Sequence, residues 1–233
     1  MSEAGHGHGH GHGRGHGPGA GATAPQRLHD EPENPPILET ETVFKGHVWN
    51  VVSEKFAYGS GEITRDYVEH PGAVGVLALD DEDRMLLIRQ YRHPVRYRDW
   101  EIPAGLLDED GEPPLEAAQR ELAEEADLTA EDWSVLTEFY TSPGGSSEAI
   151  RVYLARGLAA SDAVFERTDE EADIEVLWVP IDEVVDAVLR RRVDNPALII
   201  SALAAHASRE RGWDTLGDAR SPWPRHPKWA PRS

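Results

Sequence analysis

The stretch "RELAEEADL", Arg120 to Leu128, leaves the chain few ways to fold around it, because it sets Glu121, Glu124 and Glu125 beside Leu122 with no lysine following to balance them. On a helix, residues four apart share a face, so Glu121 and Glu125 stack together and Glu124 sits one step round. Like charges at that spacing cost about 0.2–0.5 kcal/mol, and acids in a last turn oppose the helix dipole by roughly 0.3–1 kcal/mol. Arg120 is placed to compensate Glu116 and Glu124, each four residues away, whereas Ala117 and Thr129 occupy the turns flanking Glu121 and Glu125. Such a segment is either a solvated acidic face or a place where a bound cation supplies the missing charge. Carboxylate oxygens suit Mg²⁺ or Mn²⁺, which take hard ligands and bridge to phosphates.

Around this helix the pattern alternates between strand and helix, which gives an α/β class. Residues 1–36 open with "GHGHGHGHGRGHGPGAGATAP", glycine, histidine and proline with little to pack, and read as a disordered tail. His6, His8, His10, His12 and His16 make metal binding by that tail a secondary option. Residues 37–72 carry β-branched and aromatic residues around a Gly-Ser-Gly turn and read as an N-terminal β arm containing a hairpin. "AVGVLALDDEDRMLLIRQY" gives two apolar runs joined by an acidic turn, which predicts a central hairpin. Pro113 and Pro114 open the acidic helix. Strands are expected at 135–140, 150–156 and 174–179, then helices at 182–192 and from Pro196 to about Arg211. The domain is read as residues 73–212, and the proline-rich end, 213–233, as a loose tail.

Composition narrows the partners. A formal charge of −20 over 233 residues argues against nonspecific binding to nucleic acid or an anionic membrane, both of which need a basic footprint. With no cysteine, thiolate catalysis and disulfides are excluded, as suits a reducing compartment. No apolar run reaches transmembrane length and the N-terminus lacks an apolar signal core, so a soluble cytoplasmic protein is expected.

The flanks of the acidic helix carry a family resemblance. "GLLDEDGEPPLEAAQRELAEEADL", Gly105 to Leu128, resembles the Nudix box, G-x5-E-x7-R-E-U-x-E-E-x-G-U with U aliphatic. Glu112, Arg120, Glu121, Leu122, Glu124, Glu125 and Leu128 fall on that pattern. Two positions depart from it: six residues rather than five separate Gly105 from Glu112, and Asp127 stands where a glycine is expected. "EIPAG" before the box and "TSPGGSSEAIRVYLA" after it, with Pro143 sixteen residues past Asp127, resemble the ADP-ribose pyrophosphatase branch.

The resemblance implies a Nudix-type α/β/α sandwich around a mixed sheet. It also implies a homodimer whose N-terminal strands help build the partner's site. By position it makes Glu121, Glu124 and Glu125, with the Ala104 carbonyl, ligands for Mg²⁺ or Mn²⁺. Glu112 is a supporting acid and Arg120 orients the acids. Glu148, in the loop "SPGGSSE", is expected to orient or deprotonate the attacking water once a mobile loop closes. Arg92 matches the phosphate-contacting arginine best, with Arg89 and Arg96 as further candidates, since a guanidinium can grip phosphate oxygens bidentately. Trp100 is read as core. The activity implied is hydrolysis of ADP-ribose to AMP and ribose 5-phosphate; hydrolysis of another nucleoside diphosphate sugar and non-catalytic sensing of ADP-ribose are the alternatives.

Overall fold

The computed structural model describes residues 28–162, 165 and 173–226. The tail histidines at 6–16 lie outside them. Residues 28–36 carry no regular structure. The arm is a three-stranded antiparallel sheet of β1 (Ile37–Lys45), β2 (Asn50–Tyr58) and β3 (Gly61–Glu69), with β2 and β3 joined at the glycine turn, where Tyr58 faces Gly61. Every residue of β1 is exposed, Leu38, Val43 and Phe44 included.

The domain follows with β4 (Ala73–Ala78), β5 (Arg84–Arg92), β6 (Tyr97–Glu101), β7 (Ala104–Leu106), α1 (Pro114–Ala126), β8 (Leu128–Tyr140) and β9 (Ala149–Ala160). It ends with β10 (Glu175–Pro180), α2 (Ile181–Leu189), α3 (Pro196–Arg209) and β11 (Gly217–Asp218). One sheet has the order β11-β8-β9-β4-β7 and a second the order β10-β5-β6. The β4–β9 pair is parallel and its neighbours antiparallel, so the sheet is mixed.

Both faces of β4 are buried because its alternate side chains enter two cores. Val74, Val76 and Ala78 pack with Leu115, Ala118 and Leu122 of α1. Ala73 and Leu77 pack on the other side with Ile181 and Val184 of α2 and Leu198 and Ala202 of α3. This is the expected α/β/α sandwich. Among the described residues no helix is long and apolar enough to cross a membrane.

Two expectations need correction. β4 and β5 are not a hairpin: between them only Leu79 and Met85 form a bridge, and the strands belong to different sheets. Asp80 explains the parting of the strands, since its carboxylate takes the N–H groups of Glu82 and Arg84 at 3.0 and 2.8 Å and the Arg84 Nε at 2.7 Å, folding the connection onto itself. The second correction concerns the chain end, which is packed as far as residue 226. β11 pairs with β8, Trp223 is buried, and the Arg151 guanidinium lies 4.9 Å over its ring. The prolines set the path of this strap, while its aromatic side chains supply the apolar area that docks it.

Candidate active site

α1 begins with Pro113 as its N-cap residue and Pro114 in the first turn, where a missing N–H leaves no bond unmade. It ends at Asp127, in the left-handed conformation with φ 54°, whose N–H returns to the Ala123 carbonyl. Aspartate therefore holds the terminus where the box pattern has glycine.

The acids of this helix are not left to repel one another. Arg120 sends Nε and Nη2 to the two oxygens of Glu112 at 3.0 and 3.1 Å, and Nη1 to Glu121 at 2.6 Å and Glu124 at 3.0 Å. Hydrogen bonding to Glu112, with the pull of Glu121, holds this guanidinium protonated well above its ordinary range. Glu125, only 4% exposed, accepts the Ala104 N–H at 2.8 Å. Glu121 lies against Gly105, where a Cβ would overlap its carboxylate. The expectation that Glu121 and Glu125 lack local compensation is thus corrected: a neighbouring guanidinium serves one and a backbone amide on β7 serves the other. Arg120 takes Glu112 in place of the expected Glu116.

Ala104 and Gly105 also floor a cleft of about 540 Å³. Arg92, Glu101, Thr141 and Glu148 reach it, with His70 at its edge and Trp49 of the arm contributing. Of the predicted residues, Arg92, Ala104 and Glu148 line this cleft, while Glu121 and Glu125 adjoin it through Gly105 and Ala104. Arg89 and Arg96 do not line it. Arg89 sits 5.5 Å from the Trp100 ring and 3.6 Å from Glu175, and Arg96 is exposed in the β5–β6 turn with φ 60°. Trp100 packs against the core as expected.

Glu101, Asp99, Thr141 and His70 were not singled out from the sequence. Glu101, buried, takes the fork of Arg92 at 2.8 and 2.7 Å, so the bidentate edge expected for phosphate is occupied by a carboxylate. A glutamate between Trp100 and Ile102 is a charge inside an apolar run, and that was the available signal. Burial, then Glu101 and Asp194, push the carboxyl of Asp99 upward, with Arg92 opposing. Thr141 donates its hydroxyl to Glu148 at 2.6 Å, and the His70 ring stands 3.5 Å from the other oxygen. Neither residue has a sequence signal, since each is brought to Glu148 by folding.

The loop bearing Glu148 is hydrogen-bonded to the end of β3 and the turn after it. Val68 N–H bonds to the Gly145 carbonyl at 2.9 Å, Ser147 N–H to the Val68 carbonyl at 3.0 Å, and His70 N–H to the Ser147 hydroxyl at 3.0 Å.

Among the described residues, no three acidic or histidine side chains form a ready-made metal cage. The donor set still fits a hard dication: three carboxylates within about one helical turn, two of them buried, with Glu121 in the space left by the missing side chain of Gly105. A dication there meets the positive charge of Arg120, which bonds one oxygen each of Glu121 and Glu124.

A mixed sheet between helices, with an acidic helix beside a cleft lined by Arg92, Glu101 and Glu148, defines the class, and the matches to known proteins agree with it. Residues 69–200 match the NUDIX domain model, and the chain belongs to that family. It is 43% identical to the ADP-ribose pyrophosphatase of Mycobacterium tuberculosis over 73% of this chain and 82% of that one. With the ADP-ribose pyrophosphatase of Bacillus subtilis it shares 39% identity, over 67% of this chain and 84% of the other. A solved structure described as an ADP compounds hydrolase superposes with a TM-score of 0.64 at 22% identity, covering 79% of this chain and 99% of that one, and supports the fold.

Proposed function

We propose that this chain is a divalent-cation-dependent pyrophosphohydrolase that splits ADP-ribose into AMP and ribose 5-phosphate. One observation carries the reading: Glu121 and Glu125 are packed against Gly105 and Ala104 of β7, two residues that line a cleft together with Glu148 and Arg92. Two relatives with long matches, both described as ADP-ribose pyrophosphatases, support the choice of substrate.

In this reading Glu121, Glu124 and Glu125, with the Ala104 carbonyl, hold Mg²⁺ or Mn²⁺. A dication in that place polarises phosphate oxygens and acidifies bound water. Glu148 orients the attacking water and receives its proton, with Thr141 fixing one carboxylate oxygen. Arg92, anchored by Glu101 and 41% exposed, presents positive charge to the diphosphate. Arg120 with Glu112 keeps the helix acids aligned before the cation arrives.

The proposal includes a cytoplasmic homodimer. The uncovered apolar side chains of β1 and the absence of cysteine support it. Sedimentation should give twice the chain mass, and Phe44→Glu should shift it toward the monomer; a monomeric wild type would remove the dimer. A substrate panel with Mg²⁺ tests the activity: ADP-ribose should be hydrolysed faster than GDP-sugars, whereas equal rates would remove the substrate assignment.

A further inference from the structure

β3 ends at Glu69, and the chain turns through His70, Pro71 and Gly72 into β4. Gly72 adopts φ 84°, a conformation that costs glycine little, and its N–H points back to the His70 ring, reaching Nδ1 at 3.1 Å. A ring nitrogen that accepts a hydrogen bond carries no proton, so the neutral ring has its proton on Nε2. That is the nitrogen facing Glu148 Oε1, at 3.5 Å. The imidazole is 11% exposed, and the other oxygen of Glu148 is held by the Thr141 hydroxyl at 2.6 Å. The His70 backbone is fixed as well, its N–H on Ser147, the residue before Glu148. Behind the turn the ring of His226 fills the space a Gly72 side chain would need, with Nε2 2.8 Å from the Pro71 carbonyl.

We propose that His70 is a positioning residue for the reaction: its neutral Nε2–H faces Glu148 opposite Thr141, so that the carboxylate is held between two donors and aimed into the cleft. This rests on Glu148 being the group that handles the attacking water. The present 3.5 Å separation is longer than an ordinary N–H···O hydrogen bond, and contacts of this kind tighten when substrate fills a site. His70 exchanges no proton with substrate. It restricts the rotation of Glu148, so it acts on the chemical step and not on substrate affinity. Burial, opposed by the charge of Glu148, lowers the proton affinity of the ring and favours its neutral form.

The test is steady-state hydrolysis of ADP-ribose by the full chain with Mg²⁺, alongside thermal melting. His70→Phe keeps an aromatic ring without the donor, losing the Nδ1 acceptor of the Gly72 N–H as well, and His70→Gln returns an N–H near the position of Nε2. His70→Phe should lower kcat about tenfold with KM within about twofold, and His70→Gln should recover most of the loss. In a Glu148→Gln background, His70→Phe should add nothing. Wild-type kcat in His70→Phe, or losses that multiply with Glu148→Gln, would overturn the positioning role. Wild-type kcat in Glu148→Gln alone would instead remove the reading of Glu148, and this proposal with it. Should His70→Phe fail to fold, Thr141→Val removes the opposite donor and should also reduce kcat without changing KM; an unchanged kcat there counts against the proposal.

Discussion

Gly105 shows how closely the site is fitted. Its hydrogen is the only substituent that leaves room for the Glu121 carboxylate, so Gly105→Ala forces either β7 or the acid to move. Overpacking of this kind costs about 1–3 kcal/mol, and a displaced ligand costs activity besides. We expect Gly105→Ala to melt several degrees lower and to lose at least about tenfold in kcat, read from calorimetry and ADP-ribose turnover. Arg120 makes a second prediction. Arg120→Met removes the guanidinium from three carboxylates, and we expect the metal-free protein to lose about 1–3 kcal/mol, discounted because the side chain is 31% exposed. Added Mg²⁺ should raise the melting temperature of this variant more than that of wild type; an equal shift would show that the dication does not go to these acids. The spacing of the acids was legible in the sequence because helical geometry fixes which residues share a face. Their partners were not, since Arg120 reaches Glu112 through its own rotamer and Glu125 is served by an amide twenty-one residues upstream.

At the scale of elements, the helices and most strands were legible from apolar period and proline position, and α1 starts where Pro113 and Pro114 place it. Strand pairing was not. Two apolar runs across a short acidic turn have the pattern of a hairpin, yet β4 takes β7 and β9 as neighbours while β5 takes β6 and β10. Period reports which faces are buried and says nothing of which strand lies alongside. The turn between β4 and β5 carries a pH prediction. Burial raises the proton affinity of Asp80, but its hydrogen bonds from Arg84 and Glu82 outweigh that and leave the carboxyl below its ordinary value of 3.8. A group lowered on folding contributes stability above its unfolded value and loses it as pH falls through the folded one. Asp80→Ala should therefore cost about 1–2 kcal/mol at neutral pH in urea unfolding, with the gap to wild type closing in acid below the ordinary aspartate range. A gap that stays constant into that range would contradict the assignment.

For the molecule as a whole, the C-terminal strap closes over the α1 side of the sheet, where Trp223 joins the core that holds Leu115 and Leu122. Arg151, buried in β9, joins Glu138 and the carbonyls of Ser221 and Pro222, and Trp223 packs beside it. A proline-rich composition suggested a loose end, because composition does not register a tryptophan that finds a buried arginine seventy-two positions earlier. Trp223→Ala should cost about 3 kcal/mol in urea unfolding, whereas a change below about 0.5 kcal/mol would mean that the strap is not docked in solution. The proposed catalysis rests on acids held by Arg120 and β7 beside a cleft assigned to the diphosphate. The most direct trial is hydrolysis of ADP-ribose by the purified chain in ¹⁸O-labelled water, with Mg²⁺ and again with the metal chelated. We predict AMP and ribose 5-phosphate in equal amounts, the label on one of them, and no products after chelation. Undiminished turnover without the dication, or ADP-ribose left intact at every Mg²⁺ and Mn²⁺ concentration, would contradict it.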